Sequence, residues 1–149
     1  MSDCFLKLIP TDPQYVPQTS DQERAQEAFR SFLPAAEEIS FSVREQVSFV
    51  DPGANFESVA CPNCGSELTK WWPEAMSAAY ASGFSNLAAE LPCCGCHSSL
   101  NDLVYVWPAG FARFILEASN PNVAEFPNAQ KEALEQVVGC RLKLIWAHV

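Results

Sequence analysis

Positive charge is scarce in this chain: 9 lysines and arginines face 18 acidic residues, for a net charge of −9. A surface of that sign repels phosphate backbones and anionic headgroups, so neither nucleic acid nor a membrane is an expected partner. Glycine is scarce too. With 6 glycines and no P-loop, dinucleotide-binding loop or G-x-S-x-G elbow, phosphate-cradling and serine-hydrolase chemistry are not expected. No apolar run approaches the about 20 residues that cross a bilayer. Met1-Ser2-Asp3-Cys4 lacks the basic start and apolar stretch of an export signal, so a cytoplasmic location is expected. Histidine is limited to His97 and His148. Both come too late to supply the H-x-E half of a zinc deaminase, although Pro92-Cys93-Cys94-Gly95-Cys96 matches the other half. The missing export signal also argues against haem attachment at the C-x-x-C-H string ending at His97. No catalytic residue is assigned.

Cysteine, by contrast, is plentiful: there are seven, an odd count that suits a reducing compartment better than a disulfide framework. Four fall in two close pairs, Cys61-Pro62-Asn63-Cys64-Gly65 and Cys93-Cys94-Gly95-Cys96. C-x-x-C followed by C-x-x-C describes a tetrahedral zinc shell, in which two tight turns converge their thiolates on one ion. The expected ligands are Cys61, Cys64, Cys93 and Cys96, with Cys94 competing because Cys94-Gly95 repeats the cysteine-glycine end of the first turn. The spacer from Gly65 to Pro92 is longer than the about 15–20 residues of a compact ribbon. Four thiolates fill the shell, so the zinc is expected to be structural, not catalytic. A dithiol redox role for Cys61-Pro62-Asn63-Cys64 is disfavoured, since Gly65 and Ser66 follow where a helix would begin. Cys4 and Cys140 lie in strand-like stretches, where a reduced cysteine reads as a small buried hydrophobe.

Apolar residues make up 48% of the chain, enough for a core in a single domain. Phe5 to Ile9 reads as a strand stopped by Pro10. Ser20 with Glu23 forms a capping box for a helix whose buried face is Ala25, Ala28, Phe29, Phe32 and Leu33. Ile39, Phe41, Val43, Val47 and Phe49 then alternate as one long bent strand, or as a hairpin turning at Arg44-Glu45-Gln46. The C-terminal part repeats this order. Leu103–Trp107 and Phe111–Ala118 read as a hairpin, Asn128 caps a helix ended by Gly139, and Leu142, Leu144 and Trp146 alternate in a closing strand. Strand-helix-strand twice over predicts an α+β fold with a ferredoxin-like, split βαβ antiparallel sheet. Residues 1–53 and 103–149 form that scaffold, and 54–102 form an inserted zinc-knuckle module with a short helix from Pro73 to Tyr80. No internal repeat is evident.

The C-P-x-C-G string at Cys61–Gly65 resembles the knuckles of zinc-ribbon proteins. The run from Cys93-Cys94-Gly95 through Ser99-Leu100-Asn101-Asp102-Leu103 to Gly110–Phe114 resembles small uncharacterised bacterial proteins. The resemblance implies a bacterial or phage source and zinc ligation by the cysteines, and no particular activity.

Six residues stand out as candidate contacts. Adjacent Trp71 and Trp72 cannot both point the same way; burial of both against the sheet is the first expectation, and one packing on the zinc module with the other exposed for contact is the alternative. Ser99, Asn101 and Asp102 lie in a polar turn between the metal site and the hairpin, and Arg113 interrupts an apolar strand. The leading expectation is a non-enzymatic module whose structural zinc rigidifies a protein-binding surface. An acidic immunity or inhibitor protein that covers a basic toxin or nuclease is one alternative. An enzyme using residues 98–102 with Arg113 is another.

Overall fold

A computed structural model describes residues 3–149. Its elements run β1 (Cys4–Pro10), α1 (Thr19–Phe32), β2 (Glu38–Val50), β3 (Ser58–Ala60), α2 (Trp72–Tyr80), β4 (Ala88–Glu90), β5 (His97–Ser99), a 3₁₀ turn (Leu100–Asp102), β6 (Val104–Val106), β7 (Gly110–Ser119), α3 (Asn128–Val138) and β8 (Leu142–His148). Three helices and antiparallel sheets make this a mixed α+β chain. The main sheet has the order β2-β7-β1-β8, and each neighbouring pair is antiparallel.

Alternation sets what each face of that sheet buries. Leu6 and Leu8 of β1, Phe114, Leu116 and Ala118 of β7 and Leu142 of β8 meet Ala25 and Phe29 of α1 and Leu134 and Val138 of α3. Phe126, in the connection leading to α3, closes this core edge-on against Phe29 at 5.6 Å. Ile9, Val50, Ala112, Ile115 and Ile145 form a smaller cluster.

β2 is one bent strand. Its pairing with β7 runs from Glu38↔Ser119 to Val43↔Phe114 and resumes at Ser48↔Ala112, so the chain bulges between Val43 and Ser48. The Arg44 carbonyl in the bulge accepts a hydrogen bond from Nε of Arg113 at 3.0 Å. Within the bulge Val47 joins a second core, and Phe49, just past it, packs against that core.

That second core belongs mostly to the segment between β2 and β7: Val59, Cys61, Leu68, Ala79, Leu87, Leu91, Leu100, Leu103 and Tyr105 gather around Phe111. Trp72 stacks on Phe56 at 5.3 Å and donates from its indole to the Tyr105 hydroxyl, which in turn donates to the Leu100 carbonyl at 2.6 Å. The expected hairpin between 103–107 and 111–118 does not form. β6 pairs with β3 instead, Ser58 opposite Val106 and Ala60 opposite Val104. Tyr105 explains the choice, because its buried ring is anchored in the second core and turns β6 away from the main sheet.

Asn101 stitches the two cores together. Its side-chain amide donates to the Thr11 carbonyl at 2.9 Å, and its oxygen accepts from the Phe111 amide at 3.0 Å. Lys143 donates to the carbonyls of Asn101 and Ala109 from the β8 side. A second tie runs along the edge of the sheet. Gly53, at φ 61°, bridges to His148, the Ala54 amide donates to the His148 carbonyl at 2.7 Å, and Asn55 donates to the Trp146 carbonyl at 3.1 Å. A Cβ on Gly53 would run into that His148 carbonyl, so both the backbone angle and the close approach call for glycine.

Local signals held where packing agreed with them. Gly139 ends α3 in the left-handed conformation, its amide donating to Glu135 at 2.8 Å. The helix starts differ from expectation. Ser20 lies inside α1, whose first turn is secured instead by the buried Gln22 side chain donating to the Pro17 carbonyl. Asn128 is the first residue of α3, not its cap, and donates to Glu132. Cys4 is exposed and Cys140 sits in the turn between α3 and β8, so neither is a buried strand cysteine.

Asn101→Ala strips the partner from a fully buried Phe111 amide and from the Thr11 carbonyl. The expected cost is about 1–3 kcal/mol, since a buried group left unpaired loses its solvation without compensation. Urea unfolding should show a lower midpoint with an unchanged slope.

Candidate metal centre

Two hairpins of the same construction face each other in the segment between β2 and β7. In the first, β3 leads into Cys61-Pro62-Asn63-Cys64-Gly65-Ser66; the Cys61 amide donates to Ser66 and the Gly65 amide to Cys61. In the second, β4 leads into Leu91-Pro92-Cys93-Cys94-Gly95-Cys96; the Leu91 amide donates to Cys96 and the Gly95 amide to Leu91. Gly65 and Gly95 take matching left-handed angles of 78° and 71°, and open space lies where each would carry a Cβ. The chain therefore contains a structural repeat in which Pro62 matches Pro92, Cys64 matches Cys94 and Ser66 matches Cys96.

The repeat decides which sulfurs meet. Cys61, Cys64, Cys93 and Cys94 bring their sulfurs within 4.8 Å of one another. Cys96, expected as the fourth ligand, lies outside that group; Cys94, its competitor, takes the place that Cys64 has in the first hairpin. The C-x-x-C count from Cys93 to Cys96 is misleading because the turn begins at Leu91, not at Cys93. The shared Pro-x-Cys-Gly of residues 62–65 and 92–95 was the available signal.

Zinc holds each thiolate at about 2.3 Å in a tetrahedron, which puts neighbouring sulfurs about 3.8 Å apart. Cys61 and Cys94 sulfurs are 3.8 Å apart, as are those of Cys93 and Cys94. Four convergent thiols at that spacing fit zinc or another thiophilic ion. Cys61 is the anchor: it is only 2% exposed, is packed in the second core, and accepts from the amides of Asn63 and Cys64 at 3.3 and 3.4 Å. The Asn63 side chain crosses to the other hairpin, donating to Cys96 at 3.2 Å and Cys94 at 3.7 Å.

These contacts sort the thiols electrostatically. The Cys96 backbone and the Asn63 amide lower Cys94 to about 6, while Ser66 lowers Cys64 through its hydroxyl and backbone. Desolvation, then hydrogen bonding within the cluster, pushes Cys93 up to about 12; Cys96 is raised chiefly by its contact with Cys94. The cluster thus favours thiolate at Cys94 and thiol at Cys93, and shifts Cys64 in the same direction as Cys94.

The six candidate contacts are dispersed. Trp72 is half-buried in the aromatic cluster, whereas Trp71 lines a groove of about 370 Å³ with Lys70, Pro92 and Cys93. Ser99 accepts from the Asn101 amide as a turn cap, Asn101 forms the seam, Asp102 is exposed, and Arg113 meets the β2 bulge. No helix among the described residues is long and apolar enough to cross a membrane.

The thiol order yields a chemical test, because the thiolate is the nucleophile. In reduced, metal-stripped protein at neutral pH, iodoacetamide should label Cys94 ahead of Cys93, as read by peptide mass mapping. Labelling of Cys94 should slow about tenfold per pH unit as pH falls below about 6, where its folded-state thiolate is protonated, with Cys94 still ahead of Cys93. Zinc added beforehand should protect both. No family model, no curated protein and no solved structure matches this chain.

Proposed function

We propose that the chain is a non-enzymatic, cytoplasmic protein-interaction module in which a structural zinc ion, held by the hairpin cysteines, stiffens a contact surface. The scaffold reads as ferredoxin-like. Support for that comes from the order β1-α1-β2 and β7-α3-β8 together with an antiparallel sheet ordered β2-β7-β1-β8, as two interlocked βαβ units require.

The observation that carries the functional reading is the direct continuity from metal ligand to exposed apolar strip. Cys61 follows β3 without a spacer, and β3 pairs with β6. On β6 the Tyr105 ring points into the second core, so Val104 and Val106 face outward at 47% and 38% exposure, followed by Trp107 at 43%. Trp107 also borders a cleft of about 690 Å³ with Trp146, Val123 and Asn55. Contiguous exposed valines and a tryptophan favour protein contact, where aromatic anchors carry much of the binding energy. Four thiolates around one ion would hold the start of that ribbon through both hairpins, since metal binding and folding are coupled.

The net charge of −9 favours a second reading, an immunity or inhibitor protein that masks a basic toxin or nuclease. The enzyme reading has less support: Ser98, Ser99, Asn101, Asp102 and Arg113 line neither the Trp107 cleft nor the Cys93 groove, and Ser99, Asn101 and Arg113 are tied to backbone groups.

Hydrogen exchange with and without a zinc chelator tests the main reading. Chelation should speed exchange in 57–66, 91–96 and 104–106 and leave β1 and β7 protected; uniform protection in both states would refute it. Affinity capture with wild type and Val106→Asp then separates the two partner classes. An apolar contact should survive raised salt and be lost in V106D, whereas a basic partner should dissociate in salt and tolerate the variant.

A further inference from the structure

Five cysteines stand at the hairpin tips, and a tetrahedral shell has four positions. Three of those positions are fixed by the turns themselves. The first hairpin offers its opening residue, Cys61, and its fourth residue, Cys64; the second offers only its fourth, Cys94, because Leu91 occupies the opening position and is 1% exposed in the second core. The fourth donor must come from a place that such turns do not ordinarily use.

Two thiols flank Cys94 for that purpose. Cys93 precedes it, matches Asn63 of the first hairpin, and lies within the 4.8 Å group. Cys96 follows, and matches Ser66. In the first hairpin that position lies beside the fourth-residue sulfur, with Ser66 Oγ 3.3 Å from Cys64 Sγ. The same turn geometry brings Cys96 to the flank of Cys94, where Asn63 Nδ2 spans both, 3.2 Å from the Cys96 sulfur and 3.7 Å from that of Cys94. Core packing fixes Cys61 alone among the five; Cys64 and Cys94 are exposed like Cys93, and what sets them apart is their matching fourth place in the two turns.

We infer that the metal centre has three fixed thiolates, Cys61, Cys64 and Cys94, and one exchangeable position for which Cys93 and Cys96 substitute for each other. This rests on the zinc-binding reading above. A change of ligand at that position breaks one metal–sulfur bond as another forms, with one thiol releasing its proton as the other takes one up, so the shell keeps four thiolates and its charge throughout. With Cys96 bound, Cys93 is released toward the groove beside Trp71 and Lys70.

Cobalt(II) titration of the full-length protein tests this, since thiolate-to-cobalt charge transfer reports the number of bound sulfurs. Removal of a fixed ligand in C61A, C64A or C94A should weaken affinity by about a hundredfold or more, above the loss typical of an outer-shell change, whereas C93A and C96A should each cost less than about tenfold. Both of these should keep the four-thiolate intensity. The double variant C93A/C96A should lose about a quarter of it, three thiolates remaining of a four-thiolate shell, and bind as weakly as C64A. Far-UV circular dichroism establishes that each variant is folded. A C93A protein as impaired as C64A, with C96A unaffected, would overturn the exchange and make Cys93 a fixed ligand; the converse would do the same for Cys96. Wild type that takes up no cobalt or zinc would instead overturn the metal reading from which the exchange derives.

Discussion

Sulfur atoms packed within 4.8 Å of one another cannot all carry negative charge unless a cation stands among them, because each thiolate raises the cost of ionising the next. That mutual repulsion governs how the two hairpin tips meet. The hairpins approach tip to tip only if protons or a metal offset it. The asymmetry within the cluster, with Cys94 acidic and Cys93 resistant to ionisation, follows from which sulfurs are offered hydrogen-bond donors and which are crowded. An ion at the centre would replace that uneven sharing of protons by four equivalent bonds. The conformations of β3, β4 and the turns after them therefore answer to one local balance of charge.

The seam transmits this balance to the scaffold. Phe111 begins the inward-facing row of β7 and also fills the second core, so one strand serves two hydrophobic clusters. Asn101 supplies the polar complement: a single side chain uses both its donor and its acceptor to tie the turn after β5 to Thr11 and Phe111. Burying an amide is tolerable because both functions are matched. The segment between β2 and β7 is thereby held to the sheet by packing and by directional bonds.

Much of the scaffold was legible in the sequence, since period-two and helical spacing survive translation into structure wherever one face is buried. β1, β2, α1, β7, α3 and β8 all show it, and even the bend of β2 was marked by the charged interruption at Arg44-Glu45. What escaped was partner choice. Val104-Tyr105-Val106 is apolar at every position, so periodicity cannot say which side is buried; the Tyr105 ring, packed against Phe49 and Trp72 with its hydroxyl satisfied by Leu100, fixes that. The ligand set escaped for a related reason. Counting between cysteines ignores where the turn starts, and a leucine at its opening position shifts the frame so that Cys94, not Cys96, enters the cluster.

Gly53 has a consequence beyond the turn that contains it. β8 is an edge strand, and an edge presents unpaired amides and carbonyls to any other extended chain. By admitting residues 52–55 against Trp146 and His148, Gly53 lets the polypeptide cap the last part of that edge with its own backbone. A glycine angle therefore contributes colloidal protection: it makes this end of the sheet a poor template for edge-to-edge aggregation, in a molecule that also exposes a strip of valines.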